Sequence, residues 1–144
     1  MGGVPPVLIA YLVSTAAYAG FQWTVQVVIY RQFPAVPAEA FAGYERQHQR
    51  RITVVVAPLF AALTGCVGWM AMDRPPSVGW WAVVLAVVLL AIILGSTGLG
   101  AVPMHRRLSS GWDESAYRRL VRVDLVRAIA ATAALVLAVV LIAR

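Results

Sequence analysis

The chain has no lysine, a single cysteine and few acidic residues. Its 12 basic residues are all arginines, set against 6 acidic residues, and charged residues make up only 12% of the 144. A lone cysteine, Cys66, excludes an internal disulfide, a CxxC redox pair and a cysteine-built zinc or iron–sulfur site. Ordinary soluble domains are about a quarter charged, so the scarcity of charge excludes that class as well.

Hydrophobic residues dominate the composition of the chain. They make up 61% of the chain, and the mean hydropathy is +0.79. Disordered chains need low hydrophobicity, so disorder is excluded, and a chain of this length has room for one domain. The net charge is +6, but the chain has no soluble basic domain that could bind nucleic acid, so we expect no nucleic-acid partner. Membrane residence is the prediction that follows.

Four segments have the length and apolar content of membrane-spanning helices, which need about 20 mostly apolar residues. They cover approximately residues 5–30, 52–72, 78–102 and 125–143. The sequence therefore predicts an all-α membrane protein, a four-transmembrane-helix bundle formed by one domain over residues 1–144.

The links between these segments predict helices that extend beyond the membrane. Pro37 followed by Ala-Glu-Ala is typical of a helix start, which places the beginning of the second helix well before its apolar part. Asp113 is a predicted N-cap for a helix that leads into the last span. Spans two and four should therefore carry cytoplasmic helix extensions.

The arginines predict the orientation of the chain. Four spans put both termini on one side and both long links on the other, and the termini side carries only Arg74 and Arg144. The links side carries Arg31, Arg46, Arg50, Arg51, Arg106, Arg107, Arg118, Arg119, Arg122 and Arg127. The positive-inside rule then predicts a cytoplasmic-membrane protein with both termini outside and the long links in the cytoplasm.

Polar residues in the first span recur every three or four positions and should share one face of a helix. They are Tyr11, Thr15, Tyr18, Gln22 and Gln26. This stripe has two interpretations, hydrogen bonding between helices or one wall of a polar pocket, and the residues alone leave both open.

The second helix carries a polar stretch before its apolar part. Tyr44, His48 and Arg51 should share a face, and Glu45 reaches His48 at i+3. A carboxylate beside a histidine orients the imidazole for acid–base work near neutral pH. The alternative is a solvated, arginine-rich segment that lies against lipid headgroups.

The third and fourth spans add further polar groups at the same end. The third span ends in a patch of small residues, typical of close helix contact, from which Thr97 and His105 are expected to point toward the inner leaflet. Asp124 and Arg127 are i,i+3 at the start of the fourth span, where a paired carboxylate is tolerable.

Together these groups predict a polar pocket near the inner leaflet, beneath an apolar upper bundle. Such a pocket suits a lipophilic molecule with a polar reacting end. The predicted catalytic residues are His48, His105, Asp124 and Arg127, and the predicted substrate-binding residues are Tyr18, Gln22, Gln26, Tyr44, Arg51 and Thr97.

No metal or other cofactor is predicted. His48, His105, Glu45 and Asp124 are ligand types that suit non-haem iron or zinc, and the two histidines suit haem, but no local spacing such as HExxH supports a site. A hydrolase is not indicated either, because the chain has no nucleophile-elbow motif.

Several short motifs resemble a known family. The first span ends in Tyr30-Arg31-Gln32-Phe33, and the pattern Phe41-x-x-Tyr44-x-x-x-His48 precedes span two. Thr97, Val102-Pro103-x-His105-x-x-Leu108 and an arginine entering span four, Arg127, complete the pattern. In this it resembles the small anthrone-oxygenase-like membrane proteins, a resemblance that covers most of the chain and implies oxidation of polyketide anthrones without an obvious cofactor.

The chain departs from that family at positions that bear on chemistry. His105 stands where the family has Asn, and Arg122 and Asp124 stand where it often has Trp and Asn. The resemblance implies that His105 or His48 takes a proton from an acidic phenol or enol. It also implies that Arg127, with Gln22 and Gln26, stabilises the anion.

The sequence thus favours a small membrane enzyme acting on a lipophilic, polyketide- or isoprenoid-like molecule. The expected reaction is oxygenation, cyclisation or isomerisation by acid–base chemistry. The alternative is a non-enzymatic membrane subunit or lipid-binding assembly factor that docks a partner through its arginine-rich face. Anionic lipid headgroups are expected partners in either case, and a homo-oligomer is left open.

Overall fold

The protein folds into four long helices. A computed structural model describes residues 3–144, and all regular structure in that range is helical. The elements are α1 (Pro6–Thr24), α2 (Tyr30–Gln32), α3 (Ala38–Met72), α4 (Trp80–Ser96), α5 (Val102–Leu108) and α6 (Glu114–Ile142). One π-helical turn, Val25–Ile29, joins α1 to α2, and a second, Thr97–Ala101, joins α4 to α5. The predicted all-α class is confirmed.

The long helices form a closed ring. Helix α6 packs against α1 and α4, and α3 packs against the same two helices. Each helix therefore has two neighbours, and the side chains that face inward from all four meet along one axis.

Both predicted helix extensions are present. Helix α3 begins directly after Pro37, well before its apolar part. Helix α6 begins after Asp113, whose side chain accepts a hydrogen bond from the backbone nitrogen of Ala116 at 3.0 Å. That amide, the Ser115 hydroxyl and the nearby Arg107 favour the charged carboxylate, so the pKa of Asp113 is lowered to about 2.

Three helices are long and apolar enough to cross a membrane: Ala38–Met72, Trp80–Leu108 and Glu114–Ile142. Large apolar side chains remain on their outer faces, with Val54 75% exposed and Leu99 84% exposed. Such a surface is consistent with a membrane environment. Helix α1 is not among the three, and its apolar sequence is interrupted by the polar stripe.

The interior has two hydrophobic cores with polar groups between them. The first core runs along the apolar bundle and ends near Tyr18, Ile93 and Ala130. The second is rich in aromatic rings and includes Tyr30 and Phe33. On α1, α3 and α6 the chain passes from one core to the other through buried polar residues, which places a polar layer across the bundle.

The close helix contact predicted for the small-residue patch occurs at one glycine. A Cβ atom on Gly100 would lie 2.8 Å from Cγ1 of Val123, whereas nothing lies within 4 Å of the position for Gly95 or Gly98. Only Gly100 therefore lets α6 approach the second π-helical turn.

Candidate active site

A buried carboxylate–imidazole pair links α3 to α5. Oε1 of Glu45 lies 2.5 Å from Nδ1 of His105, and the two side chains are 0% and 13% exposed. Sequence reasoning expected Glu45 to orient His48, and that expectation is wrong. Helix packing turns Glu45 toward α5, so the histidine it contacts is sixty residues away and not on its own helix.

The pair continues into a phenol. Oη of Tyr30 lies 3.0 Å from Nε2 of His105. An ionised carboxylate only accepts hydrogen bonds, so the network assigns the imidazole proton to Nδ1, facing Glu45. Nε2 then accepts from the Tyr30 hydroxyl. Carboxylate, imidazole and phenol form one hydrogen-bonded chain, which we call the Glu45–His105–Tyr30 chain.

Gln49 holds this chain in place. Its amide nitrogen lies 3.1 Å from Oε1 of Glu45, 3.2 Å from the backbone oxygen of His105 and 2.6 Å from Oγ of Ser109. These contacts tie the carboxylate on α3 to the backbone of α5. Sequence reasoning missed Gln49, although its i+4 spacing from Glu45 was a usable signal.

The second polar group is a buried ion pair on α6. Arg127 donates to Oδ1 of Asp124, which also accepts from Nε2 of Gln22 at 2.5 Å. With its amide nitrogen turned toward Asp124, Gln26 donates to Oδ2 at 2.8 Å. Asp124 is fully buried and Arg127 is 6% exposed. A buried carboxylate is stable only when its oxygens have partners, and the two glutamines and Arg127 supply them for Asp124.

The polar stripe of α1 faces the interior, as its spacing predicts, since all five members are buried. The two glutamines bind Asp124. The Tyr18 ring packs against Phe60 with ring centroids 5.6 Å apart, and Tyr18 is not on the wall of the cavity described next. Tyr30 lies one turn beyond Gln26 and continues the stripe, a signal that sequence reasoning did not use.

The two polar groups meet at a cavity of about 340 Å³. Its polar wall is formed by Tyr30, Gln49, Thr53, Thr97, His105, Arg106 and Arg127. Its apolar wall is formed by Phe21, Val25, Ile52, Val56, Ala101 and Val102. Arg127 lies beside the Tyr30 phenol and donates to Oγ1 of Thr97 at 3.1 Å. One end of the cavity therefore carries a fixed positive charge next to a hydrogen-bonded phenol, and the rest is apolar.

Both π-helical turns border this cavity. The first contains Val25 and Gln26, and the second contains Thr97 and Ala101. A π turn inserts one extra residue into the helix and rotates the side chains that follow it, and such turns are frequent at functional sites. The rotation brings Tyr30 and His105, which follow the two turns, to the same place.

The predicted residues of α3 face a different opening. The predicted common face is confirmed, because Tyr44, His48 and Arg51 all line a second groove of about 310 Å³. Glu45 and Gln49 lie toward the first cavity on the neighbouring face of the helix. The single predicted pocket is thus two openings, with His48 and His105 on opposite sides and their ring centroids 5.9 Å apart.

Asp124 has a different position from the other predicted catalytic residues. It lies behind Arg127 and does not line the cavity. Within residues 3–144 no three His, Cys, Asp or Glu side chains come together in a group that could hold a metal ion.

A scan of the chain against protein-family models found no match, and searches of curated proteins and of solved structures found none either. The resemblance to the anthrone-oxygenase-like family therefore stays a prediction.

Proposed function

We propose that this protein is a membrane-embedded enzyme that removes a proton from an acidic O–H or C–H group of a lipophilic substrate. The observation that carries the proposal is the Glu45–His105–Tyr30 chain, which ends at the cavity beside Arg127. Abstraction of one proton is the first step common to oxygenation, cyclisation and isomerisation of phenolic and enolisable compounds.

In the proposed step the hydroxyl group of Tyr30 contacts the substrate. Its oxygen accepts the substrate proton while its own proton passes to Nε2 of His105. Glu45 holds the imidazole in the required tautomer and stabilises the imidazolium as it forms. The negative charge that develops on the substrate oxygen is stabilised by Arg127, whose guanidinium is already desolvated and oriented.

The cavity suits a particular kind of substrate. An apolar wall accepts a ring system or an alkyl chain, and the polar end accepts one ionisable oxygen. This supports a polyketide- or isoprenoid-like molecule. We infer a positioning role for Asp124, Gln22 and Gln26 in the proposed reaction, because Asp124 holds Arg127, the glutamines hold Asp124, and none of the three lines the cavity.

The proposal includes a membrane topology. Helix α1 is 19 residues long and packs between α3 and α6, so it would cross the bilayer with them as a fourth span. Its polar side chains face the interior, so the free-energy cost of exposing them to lipid does not arise. The excess of arginine on the long links supports a cytoplasmic location for the links and, with it, a candidate site near the inner leaflet.

The alternative function is a non-enzymatic subunit that binds anionic lipid or docks a partner. The observation in its favour is that many arginines near the candidate site are exposed, among them Arg50, Arg119 and Arg122. It leaves the buried chain and the cavity without a role, so we rank it second.

Hydrogen exchange on anthrone tests the proposed step. The carbon-bound methylene protons of anthrone are acidic, and their replacement by deuterium from D2O under argon reports proton removal in the absence of oxygen. We expect the protein in nanodiscs to accelerate exchange over empty nanodiscs. Tyr30→Phe should reduce this acceleration about 10²- to 10⁴-fold, the usual range for loss of a general base.

Tyr117→Phe is the matched control, because Tyr117 packs against Trp112 away from the cavity and should retain full exchange. Repeating the assay in air separates the reaction classes, since an oxygenase converts anthrone and O2 to anthraquinone and water. Wild-type exchange no faster than that of empty nanodiscs, or full exchange in Tyr30→Phe, would overturn the proposal.

A further inference from the structure

The Glu45–His105–Tyr30 chain ends in an unpartnered oxygen. Oε1 of Glu45 binds His105 and Gln49, but Oε2 is buried and has no hydrogen-bond partner within residues 3–144. A buried carboxylate oxygen without a donor costs free energy, so its retention calls for an explanation.

The second unpartnered atom belongs to His48, which also lies on α3 and can exchange a proton. Nε2 of His48 is also buried and has no partner in the described part of the chain. His48 follows Glu45 by three positions, so the two side chains are neighbours on the surface of α3. The Glu45 carboxylate is also an electrostatic neighbour of the His48 ring.

The His48 ring lies between the interior and the second groove. It is packed against Phe33, with centroids 5.1 Å apart, and stacked on Tyr44 at 6.4 Å. The ring also forms part of the groove wall, together with the exposed Arg51 and Gln47. One nitrogen of the imidazole is thus buried, while the ring also borders a groove that is open at the surface.

We propose that His48 is a proton-transfer residue that carries the proton from Glu45 to solvent in the second groove. The inference rests on the proposed function, because it concerns the proton that Tyr30 and His105 remove. With the His48 proton assigned to Nδ1, both unpartnered atoms are acceptors in the resting state. One added proton turns them into a single hydrogen bond, which explains why both lack a partner before it arrives.

The transfer balances at every atom. A substrate proton moves to Oη of Tyr30, the Tyr30 proton moves to Nε2 of His105, and the His105 proton on Nδ1 moves to Glu45. After the carboxyl group turns, Glu45 donates this proton to Nε2 of His48, and His48 releases its Nδ1 proton to water in the groove. The net result is one proton moved from substrate to water, with no electron transferred. It leaves the protons of His105 and His48 on Nε2, and the reverse transfer, which returns a deuteron to the substrate, restores them to Nδ1. His48 does not touch the substrate, so it is distinct from a catalytic residue.

The test is chemical rescue of anthrone exchange in nanodiscs under argon. His48→Gln should slow deuterium incorporation at least tenfold, because label from D2O no longer reaches the buried chain. Added imidazole, small enough to occupy the groove, should restore the rate in a concentration-dependent way. The wild-type rate and that of Arg50→Gln, an exposed neighbour on α3 that lines neither opening, should not depend on imidazole.

His48→Phe provides a second variant that preserves the packing with Phe33 and Tyr44, and it should behave in the same way. A merely structural role for His48 predicts loss of activity without rescue, which would overturn the proposal. Wild-type rates in both variants, with Tyr30→Phe inactive, would also overturn it and leave the proposed function standing. Absence of exchange in the wild type would overturn both.

Discussion

Glu45 and His105 are sixty positions apart in the chain, yet Oε1 of the first lies 2.5 Å from Nδ1 of the second. The contact joins α3 to α5 at the candidate site. It also decides which histidine faces the cavity, because His48, one turn from Glu45, lines the second groove instead.

Replacing Glu45 by glutamine should separate orientation from proton transfer. The amide preserves the shape of the side chain but cannot stabilise an imidazolium, so anthrone exchange should fall about 10²-fold or more. Gln49→Ala should cause a smaller loss, because it removes only a contact that positions the carboxylate. Exchange rates in nanodiscs measure both effects. Equal rates for the wild type and Glu45→Gln would show that the carboxylate has no part in the reaction.

The ion pair between Asp124 and Arg127 should be costly to break from one side. Asp124→Leu leaves Arg127 buried without its carboxylate, and loss of one partner of a buried pair costs about 3–5 kcal/mol. The double variant Asp124→Leu/Arg127→Met should recover much of this stability while losing activity. Denaturant titration in mixed micelles gives the free energies of unfolding. A double variant no more stable than the single one would contradict the explanation.

Filling the cavity should block substrate without unfolding the protein. Val56 lines the cavity, which has a volume of about 340 Å³. Tryptophan at this position should fill part of that volume and abolish anthrone exchange. Val54→Trp is the control on the same helix, because Val54 is 75% exposed and faces away from the cavity. Retention of exchange by Val56→Trp would place the reaction elsewhere in the molecule.

Gly100→Ala should destabilise the bundle, because its Cβ would lie 2.8 Å from Val123. Overpacking of this kind costs about 1–3 kcal/mol. Val123→Ala should relieve the clash in the double variant, and Gly98→Ala, where space is open, should have little effect. The free energies of unfolding of Gly100→Ala, of the double variant and of Gly98→Ala test this. Equal destabilisation by Gly98→Ala and Gly100→Ala would contradict the packing explanation, because helix propensity favours alanine over glycine at both positions.

The N-cap of α6 makes a pH-dependent contribution to stability. The pKa of Asp113 is lowered to about 2 in the folded protein, against about 3.9 in an unfolded chain. The contribution is therefore present above about pH 4 and is lost as the pH falls toward about 2. Asp113→Ala should lower the unfolding midpoint at pH 7, and the difference from wild type should shrink on acidification. A difference that is independent of pH would contradict this assignment.

Several features could be predicted from single segments. The spacing of Tyr11, Thr15, Tyr18, Gln22 and Gln26 placed them on one buried face, because helical periodicity is local. The start of α3 after Pro37 and the cap at Asp113 followed from local backbone chemistry in the same way. The i,i+3 pair of Asp124 and Arg127 needed only one helix.

The partners of the candidate site could not be predicted from one segment. Glu45 has His48 on its own helix and His105 on another, and only the packing of α3 against α5 selects between them. The π-helical turns at Val25–Ile29 and Thr97–Ala101 have no clear sequence signal, yet Tyr30 directly follows the first and His105 lies four positions after the second.

The sequence by itself determined that this is an apolar, helical, arginine-rich chain with polar groups gathered at one end, because composition and helical periodicity are properties of short segments. The tertiary structure alone decided that these groups separate into two openings, one lined by Tyr30 and His105 and the other by His48. That separation depends on the rotation of each helix about its own axis, which is set by contacts such as that of Gly100 with Val123 between residues distant in the chain.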